Sequence, residues 1–314
     1  MNETIIFMGT PDFSVPVLRA LQENHGISMV ISQPDKPVGR KRVLTPPPVA
    51  AAAAEMDIPL FQPERIRDSG AIEKIREMNP DLIITAAYGQ ILPKELLDIP
   101  RLGAVNVHAS LLPRHRGGAP IHRAILEGDR ETGVSIMYMV EGLDSGDVIS
   151  QSTVQISDDD NTGTLHDRLS KTGAKLLLET LPSILDKTND RTPQDPEEVT
   201  VSPNISKEDE RLDWTRDARA VFNHIRGLSP WPGAYTMLDD KRFKIYSANR
   251  PVDSIAGTPG TITGITERGF TVVCGDGQAV EVTEVQLSGK KKAEAHHFAA
   301  GRQNLIGTIL GKVD

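Results

Sequence analysis

Hydrophobic and polar positions follow two periods along roughly the first 185 residues. Short continuous apolar runs are typical of buried parallel strands, and between them apolar residues recur every three or four positions, as in amphipathic helices. This alternation predicts an α/β fold with a doubly wound, mostly parallel sheet. The predicted strands are residues 4–8, 27–32, 60–61, 82–88, 103–109, 134–139 and 148–156, and the predicted helices lie at 17–21, 49–56, 70–78, 119–127 and 165–185.

The pattern changes in the last third of the chain. After a predicted helix over residues 215–226, short alternating segments follow one another, separated by turns such as Gly275-Asp276-Gly277. Such spacing predicts a small antiparallel β-barrel. The polar, proline-containing residues before it are typical of an interdomain linker. We therefore expect a first domain over residues 1–187, a linker over 188–206 and a second domain over 207–314.

Composition narrows the class of protein. Of the 314 residues, 38% are hydrophobic and 25% are charged, as in ordinary globular proteins, and the net charge of −8 disfavours a general attraction to nucleic acid. One cysteine, Cys274, excludes an internal disulfide and a multi-cysteine metal site, and it fits a reducing compartment. No run of about 20 apolar residues predicts a membrane span. We expect a cytoplasmic protein without a signal peptide.

Positive charge is concentrated in one predicted loop, residues 33–48. Lys36, Arg40, Lys41 and Arg42 place four basic side chains within seven residues of an otherwise acidic region. Prolines and a glycine lead us to expect an irregular conformation here. Two interpretations stay open from composition: a solvated surface loop, or a mobile basic loop that binds phosphates.

The strongest candidate for chemistry is the predicted strand at residues 103–109. Asn106 and His108 share one face of this strand, at the end where open α/β sheets bind ligands. Asp144, in the turn Gly142-Leu143-Asp144-Ser145-Gly146-Asp147, could orient the imidazole. A histidine that moves protons and an amide that donates to an oxyanion suit attack by an amine on a carbonyl.

Two other interpretations of these residues stay open. Asn106 and His108 can equally form a buried polar cluster without a catalytic role. His108, Asp144 and His115 could also supply three metal ligands, but nothing in their spacing indicates a metal, so we expect none. His296-His297 is expected to be a solvated segment near the end of the chain.

Several motifs together resemble those of the 10-formyltetrahydrofolate-dependent formyltransferases. The run from Asn106 to Ile121 is similar to the family signature, and the turn at residues 142–147 is similar to its second motif. The likeness extends from Gly9-Thr10-Pro11-Asp12-Phe13 through residues 87–93 to Pro230-Trp231-Pro232, which covers nearly the whole chain. It implies a Rossmann-like catalytic domain, a linker and an OB-like C-terminal barrel.

The resemblance also implies roles for individual residues. It makes Asn106, His108 and Asp144 the catalytic residues, and 10-formyltetrahydrofolate the formyl donor. It implies tRNA binding by Lys36, Arg40, Lys41 and Arg42, with the α-amino group of initiator methionyl-tRNA as acceptor, in a chain that we expect to be monomeric. The folate-binding residues that it implies are Ser110, Leu111, Leu112 and Pro113, together with Tyr88, Gln90, Ile91 and Leu92.

Two departures from the family pattern and two rival functions accompany this interpretation. His115 stands where the family usually has Trp or Tyr, and Pro46-Pro47-Pro48 is richer in proline than usual. One rival is formyl transfer to another amine, such as an amino sugar nucleotide or a purine precursor. The other is a non-catalytic RNA-binding protein, for which an aromatic content of 4% leaves few stacking residues.

Overall fold

The computed structural model describes residues 3–39, 41–252 and 257–311, which divide into two compact units. Unit 1 runs through Gly117 and adds Thr132–Val154 and His166–Ser202, whereas unit 2 comprises Gly118–Glu131, Gln155–Leu165 and the chain from Pro203 onward. The units therefore interleave in sequence. The contiguous domain bounds expected from composition stay a prediction.

Unit 1 is organised around a sheet that has seven strands within the described residues. The first nine strands of the chain are β1 (Ile5–Gly9), β2 (Met29–Ile31), β3 (Lys36–Val38), β4 (Val43–Thr45), β5 (Leu60–Phe61), β6 (Leu82–Ala86), β7 (Ala104–His108), β8 (Glu131–Tyr138) and β9 (Val148–Gln155). The sheet order is β5-β2-β1-β6-β7-β8-β9. The first five of these strands pair in parallel and β8 runs antiparallel to β7, so the predicted mostly parallel sheet is confirmed.

The order of the strands reverses between β1 and β6, which makes this the switch point of the sheet. Both strands are buried throughout, because apolar side chains cover both faces. At their carboxyl ends, Thr10 Oγ1 donates to the Tyr88 carbonyl at 2.7 Å and Ser14 Oγ donates to the Ala86 carbonyl at 2.5 Å.

The α-helices within the described residues are α1 (Val15–Asn24), α2 (Pro48–Glu55), α3 (Ser69–Glu77), α4 (Lys94–Leu97), α5 (Pro120–Glu127), α6 (Thr162–Leu185), α7 (Ala218–Gly227) and α8 (Ala295–Ala300).

The basic loop is a hairpin, so the expectation of an irregular conformation is wrong. β3 and β4 pair antiparallel, with Val38 opposite Val43. Both strands have three residues and are exposed along their whole length. A strand without a buried face produces no hydrophobic alternation, which is why the sequence pattern did not reveal it.

The residues that follow α6 pack back onto unit 1. Thr192 forms an antiparallel bridge with Val148, and Val201 forms a parallel bridge with Arg116. The polar segment that looked like a linker is therefore, up to Ser202, hydrogen-bonded to the same unit that carries His108.

Unit 2 contains the antiparallel sheet that was predicted for the end of the chain. Its strands are β10 (Ala234–Leu238), β11 (Lys241–Val252), β12 (Ile262–Ile265), β13 (Phe270–Val273), β14 (Ala279–Leu287) and β15 (Ala293–Glu294). Five of them follow the order β10-β11-β14-β13-β12, and β15 pairs with β14. Trp214, Phe243 and Phe270 lie in its apolar core. His296 and His297, expected in solvent, lie in α8 and are partly exposed and exposed, respectively, whereas Ala295 and Ala299 of the same helix are buried in that core.

No helix within the described ranges is both long enough and apolar enough to span a bilayer.

Candidate active site

Asn106 and His108 project from one face at the carboxyl end of β7. Side chains alternate along a strand, so Val105 and Val107 point to the opposite face, where both are buried. His108 is itself only 6% exposed, whereas Asn106 is half-buried. The predicted placement of an amide and an imidazole on one face of this strand is what the structure has.

Asp144 reaches His108 from the turn that precedes β9. One carboxylate oxygen, Oδ2, lies 3.7 Å from His108 Nδ1, which is within ion-pair distance but longer than a hydrogen bond. The same oxygen accepts a hydrogen bond from the Gly117 amide at 2.8 Å. The Asp144 side chain is 18% exposed, so solvent reaches the pair from this side.

The orientation of the His108 ring is set by a backbone group. Its Nε2 lies 3.0 Å from the carbonyl oxygen of His115. Because a carbonyl only accepts hydrogen bonds, Nε2 carries a proton and donates it. Nδ1 is then the ring nitrogen that faces Asp144.

Thr85 orients the amide of Asn106, and the sequence analysis missed it. Its Oγ1 donates to Asn106 Oδ1 at 2.7 Å, which leaves Nδ2 as the donor end of the side chain. Thr85 is buried in β6, next to β7. A signal was present, since Thr85 is the one hydroxyl residue in an otherwise apolar strand and hydroxyl groups at such positions need a partner.

Side chains of β8 and β9 form hydrogen bonds to the backbone of residues 110–113, the segment predicted to contact folate. Ser135 Oγ donates to the Ser110 carbonyl at 2.7 Å and accepts from the Leu112 amide at 3.0 Å. Gln151 Nε2 donates to the Leu112 carbonyl at 2.8 Å. Ser110 and Leu112 are buried, whereas Leu111 and Pro113 are partly exposed.

The other four predicted folate residues are divided between core and surface. Tyr88 and Leu92 are buried in the apolar cluster around Met8, and Ile91 is 85% exposed. The Gln90 side chain is bonded within unit 1, because its Oε1 accepts a hydrogen bond from the Ile66 amide at 2.8 Å. Burial raises the pKa of Tyr88 to about 12, so its phenol is neutral at physiological pH.

A cavity of about 580 Å³ opens at the other end of β7, where the strand begins. Leu97, Ala104, Met139 and Arg191 are among its walls, and none of the eight predicted folate residues is. Met139 lines this cavity, and its Sδ lies 3.2 Å from the Oγ1 of Thr85 that holds Asn106.

The structure describes three of the four basic residues that were predicted to bind tRNA. Lys36, Lys41 and Arg42 lie exposed on the β3–β4 hairpin, whereas Arg40 lies outside the described residues.

His115 bonds the His108 ring through its backbone carbonyl, and its own ring bonds Ser202 Oγ at 2.7 Å. Within the described part of the chain, His108, Asp144 and His115 do not bring their side-chain ligand atoms together as a metal-binding set.

Comparison with known protein families and sequences gives a consistent result. Residues 1–181 match the family profile described as Formyl transferase, and residues 204–303 match Formyl transferase, C-terminal domain. Proteins named methionyl-tRNA formyltransferase from Staphylococcus aureus strains MW2 and N315 are each 52% identical over 308 residues, or 98% of this chain and 98% of the relative.

Solved structures support the fold at lower identity. HypX from Aquifex aeolicus in complex with tetrahydrofolic acid is 19% identical, with a TM-score of 0.63 over 96% of this chain and 47% of its own. An N-formyltransferase from Helicobacter canadensis, in complex with folinic acid and dTDP-3-aminofucose, is 17% identical, with a TM-score of 0.67 over 89% of this chain and 98% of its own.

Proposed function

This chain belongs to the formyl transferase family, and we propose that it transfers a formyl group from 10-formyltetrahydrofolate to the α-amino group of initiator methionyl-tRNA in the cytoplasm. The observation that carries the proposal is the His108–Asp144 pair beside Asn106, at the carboxyl end of β7, in a chain 52% identical to proteins named for this reaction. The solved structures named as sugar formyltransferases are 17% to 24% identical to this chain, and at that distance they support the fold alone.

The proposed reaction passes through a tetrahedral intermediate. The amine nitrogen bonds to the formyl carbon, and the carbonyl electron pair moves to oxygen. Collapse restores the carbonyl and breaks the bond to the folate nitrogen, which takes a proton in exchange for the one lost by the amine. Proximity of two bound substrates and stabilisation of the oxyanion are the main contributions that a protein can make here.

Each of the three residues has a distinct part in this proposal. Asn106 Nδ2 donates to the oxyanion, since its Oδ1 is already occupied by Thr85. His108 Nδ1 carries the proton between the amine and the departing folate nitrogen, because Nε2 is bonded to the His115 carbonyl. Asp144 stabilises the imidazolium that forms, with its Oδ2 at 3.7 Å from Nδ1.

Single-turnover formylation of charged initiator tRNA tests these roles. Asn106→Ala is expected to lose about 10²–10³-fold in rate, as for removal of an oxyanion donor. His108→Ala is expected to lose about 10²–10⁴-fold, as for removal of a proton-transfer group. Asn24→Ala and His25→Ala, on the same unit but at the end of α1, are the matched controls. A variant at 106 or 108 that keeps the wild-type rate contradicts its assignment.

Substrate choice is tested with the wild-type protein. Equal amounts of charged initiator tRNA and an amino sugar nucleotide are offered with the same folate donor, and formyl transfer to the tRNA alone is expected. Preferential formylation of the sugar would favour the first rival function. Failure to bind a folate analogue in the absence of RNA would favour the second, a non-catalytic RNA-binding protein.

The exposed hairpin supports a role in tRNA binding. Lys36, Lys41 and Arg42 extend from unit 1 without a buried face that would explain them by packing. Arg42→Glu is expected to raise the KM for tRNA and reduce the slope of its logarithmic salt dependence by about one. The KM for the folate donor should stay unchanged. Arg67→Glu, an exposed arginine of the same unit, is the charge-matched control, and equal effects of the two substitutions would contradict the hairpin's role.

A further inference from the structure

We propose that Gln194 is a positioning residue that sets the distance between His108 and Asp144. It lies in the polar segment after α6, far from both residues in the sequence, and no motif pointed to it. The inference rests on the proposed function for its kinetic test, but its geometry and one of its tests stand without a substrate.

The side-chain amide of Gln194 forms hydrogen bonds to two loops of the site, through both its nitrogen and its oxygen. Its Nε2 donates to the carbonyl oxygens of Asp144 at 2.8 Å and Gly146 at 2.7 Å. Its Oε1 accepts from Arg116 Nε at 2.9 Å. Only a neutral amide supplies two donors and an acceptor at these places, since glutamate lacks the donors and lysine lacks the acceptor.

Arg116 stands between the two backbone groups that hold the catalytic pair. The carbonyl of His115, before it, accepts from His108 Nε2, and the amide of Gly117, after it, donates to Asp144 Oδ2. Gln194 therefore joins the loop that holds the imidazole to the turn that carries the carboxylate. The backbone of Arg116 is bonded on the other side, because its amide donates to the Thr200 carbonyl and its carbonyl accepts from the Ser202 amide.

The turn needs such support because Asp144 has a backbone conformation that is strained for a residue other than glycine. Asp144 has φ of 44°, in the left-handed region that non-glycine residues rarely adopt. Residues in that region persist when surrounding contacts hold them. Gln194 bonds the carbonyl of this residue and that of Gly146, two residues later, so the loss of both bonds is expected to let the turn relax and the carboxylate leave Nδ1.

Two variants separate the polar bonds from the space that the side chain fills. Gln194→Met keeps the length and removes all three bonds. Gln194→Glu keeps the shape and the bond from Arg116 but turns an acceptor toward two carbonyls. Gln22→Met is the matched control, since the Gln22 side chain also bonds the backbone of unit 1, in this case by accepting from the Ile27 amide at 2.8 Å. If Gln194→Met does not fold, Gln194→Glu carries the test.

The kinetic test compares each variant in the wild-type and Asp144→Asn backgrounds. In the wild-type background kcat is expected to fall on the order of tenfold to a hundredfold, as for a small misplacement of a catalytic group, with KM for both substrates nearly unchanged. In the Asp144→Asn background the same substitution should cost no more than about twofold, because residues that act through one another are not additive. An equal loss in both backgrounds, or a wild-type kcat, overturns the inference.

The second test needs no substrate. The pH midpoint of the His108 ring, followed by NMR, is expected to differ between wild type and Gln194→Met and to be unchanged in Gln22→Met. An unchanged midpoint in Gln194→Met overturns the inference. If the wild-type protein fails to formylate methionyl-tRNA while the midpoint still moves, the proposed function fails and the positioning role stands.

Discussion

Backbone atoms do as much as side chains to build this site. The His108 ring is held by a carbonyl, and the Asp144 carboxylate is held by an amide. Every residue except proline carries both groups, so the sequence contains no signal for them. Asn106, His108 and Asp144 could be singled out from residue type and spacing, whereas the parts of His115 and Gly117 could not. The lone cysteine, Cys274, is buried, and burial raises the pKa of its thiol to about 12, so the thiol is protonated near neutral pH.

A prediction at this scale concerns the hydroxyl of Tyr88. Among the described residues its Oη is buried without a hydrogen-bond partner. Tyr88→Phe removes that group and keeps the ring in the apolar cluster, so the free energy of unfolding is expected to stay level or rise by about 1 kcal/mol. Urea unfolding of the ligand-free protein, followed by far-UV circular dichroism, measures this. A loss of about 1 kcal/mol or more would mean that the hydroxyl has a partner.

Regular elements with a buried face were readable from the sequence. β1 and β6 are mainly apolar runs buried in the sheet, β7 alternates valines with Asn106 and His108, and α6 repeats apolar positions at helical spacing. The β3–β4 hairpin was not readable, because its strands are short and exposed on both faces. Periodicity reports burial of a face, so it finds elements only where the fold buries one.

A prediction for the turn before β9 concerns Gly146. A Cβ at this position would lie 1.9 Å from the Tyr138 carbonyl oxygen, so Gly146→Ala must displace the turn that carries Asp144. We expect a loss of about 1–3 kcal/mol in unfolding free energy, as for other overpacked positions, and a fall in kcat. Urea unfolding and formylation assays measure the two effects.

Gly70→Ala is the matched control for that substitution. Gly70 lies in α3, and a Cβ there would meet no atom within 4 Å. Alanine is the better helix former by about 1 kcal/mol, so this variant is expected to be at least as stable as wild type. Equal stability of Gly146→Ala and Gly70→Ala would show that the turn tolerates a side chain.

For the whole molecule, pH is expected to act on unit 2 through a buried histidine. Burial lowers the pKa of His224 from its usual 6.5, and its Nε2 bonds the Asp209 carbonyl at 2.7 Å. Below pH 6.5 the unfolded chain therefore binds a proton that the folded chain does not. The stability contributed by the neutral ring is complete above that pH and is lost as pH falls toward the lower folded pKa.

His224→Gln is expected to flatten the stability of unit 2 between pH 7 and 5.5, since glutamine keeps a donor but does not titrate. Both tryptophans, Trp214 and Trp231, belong to unit 2, so the unfolding midpoint in tryptophan fluorescence reports on it. His297→Gln, whose ring is 71% exposed, is the control and should keep the wild-type pH dependence. A His224→Gln midpoint that falls with pH as steeply as in wild type would contradict this account.

The sequence alone determined most of the strands and helices that have a buried face, that an α/β sheet precedes an antiparallel one, and that Asn106 and His108 share a face, because each follows from local periodicity. Only the tertiary structure decided that Asp144 stands 3.7 Å from His108, that Thr85 turns the amide, and that Gln194 joins the two loops. The reason is physical: local pattern records which face is buried, whereas contacts between distant segments depend on how the buried faces pack, and the backbone groups that complete the site are the same in every residue.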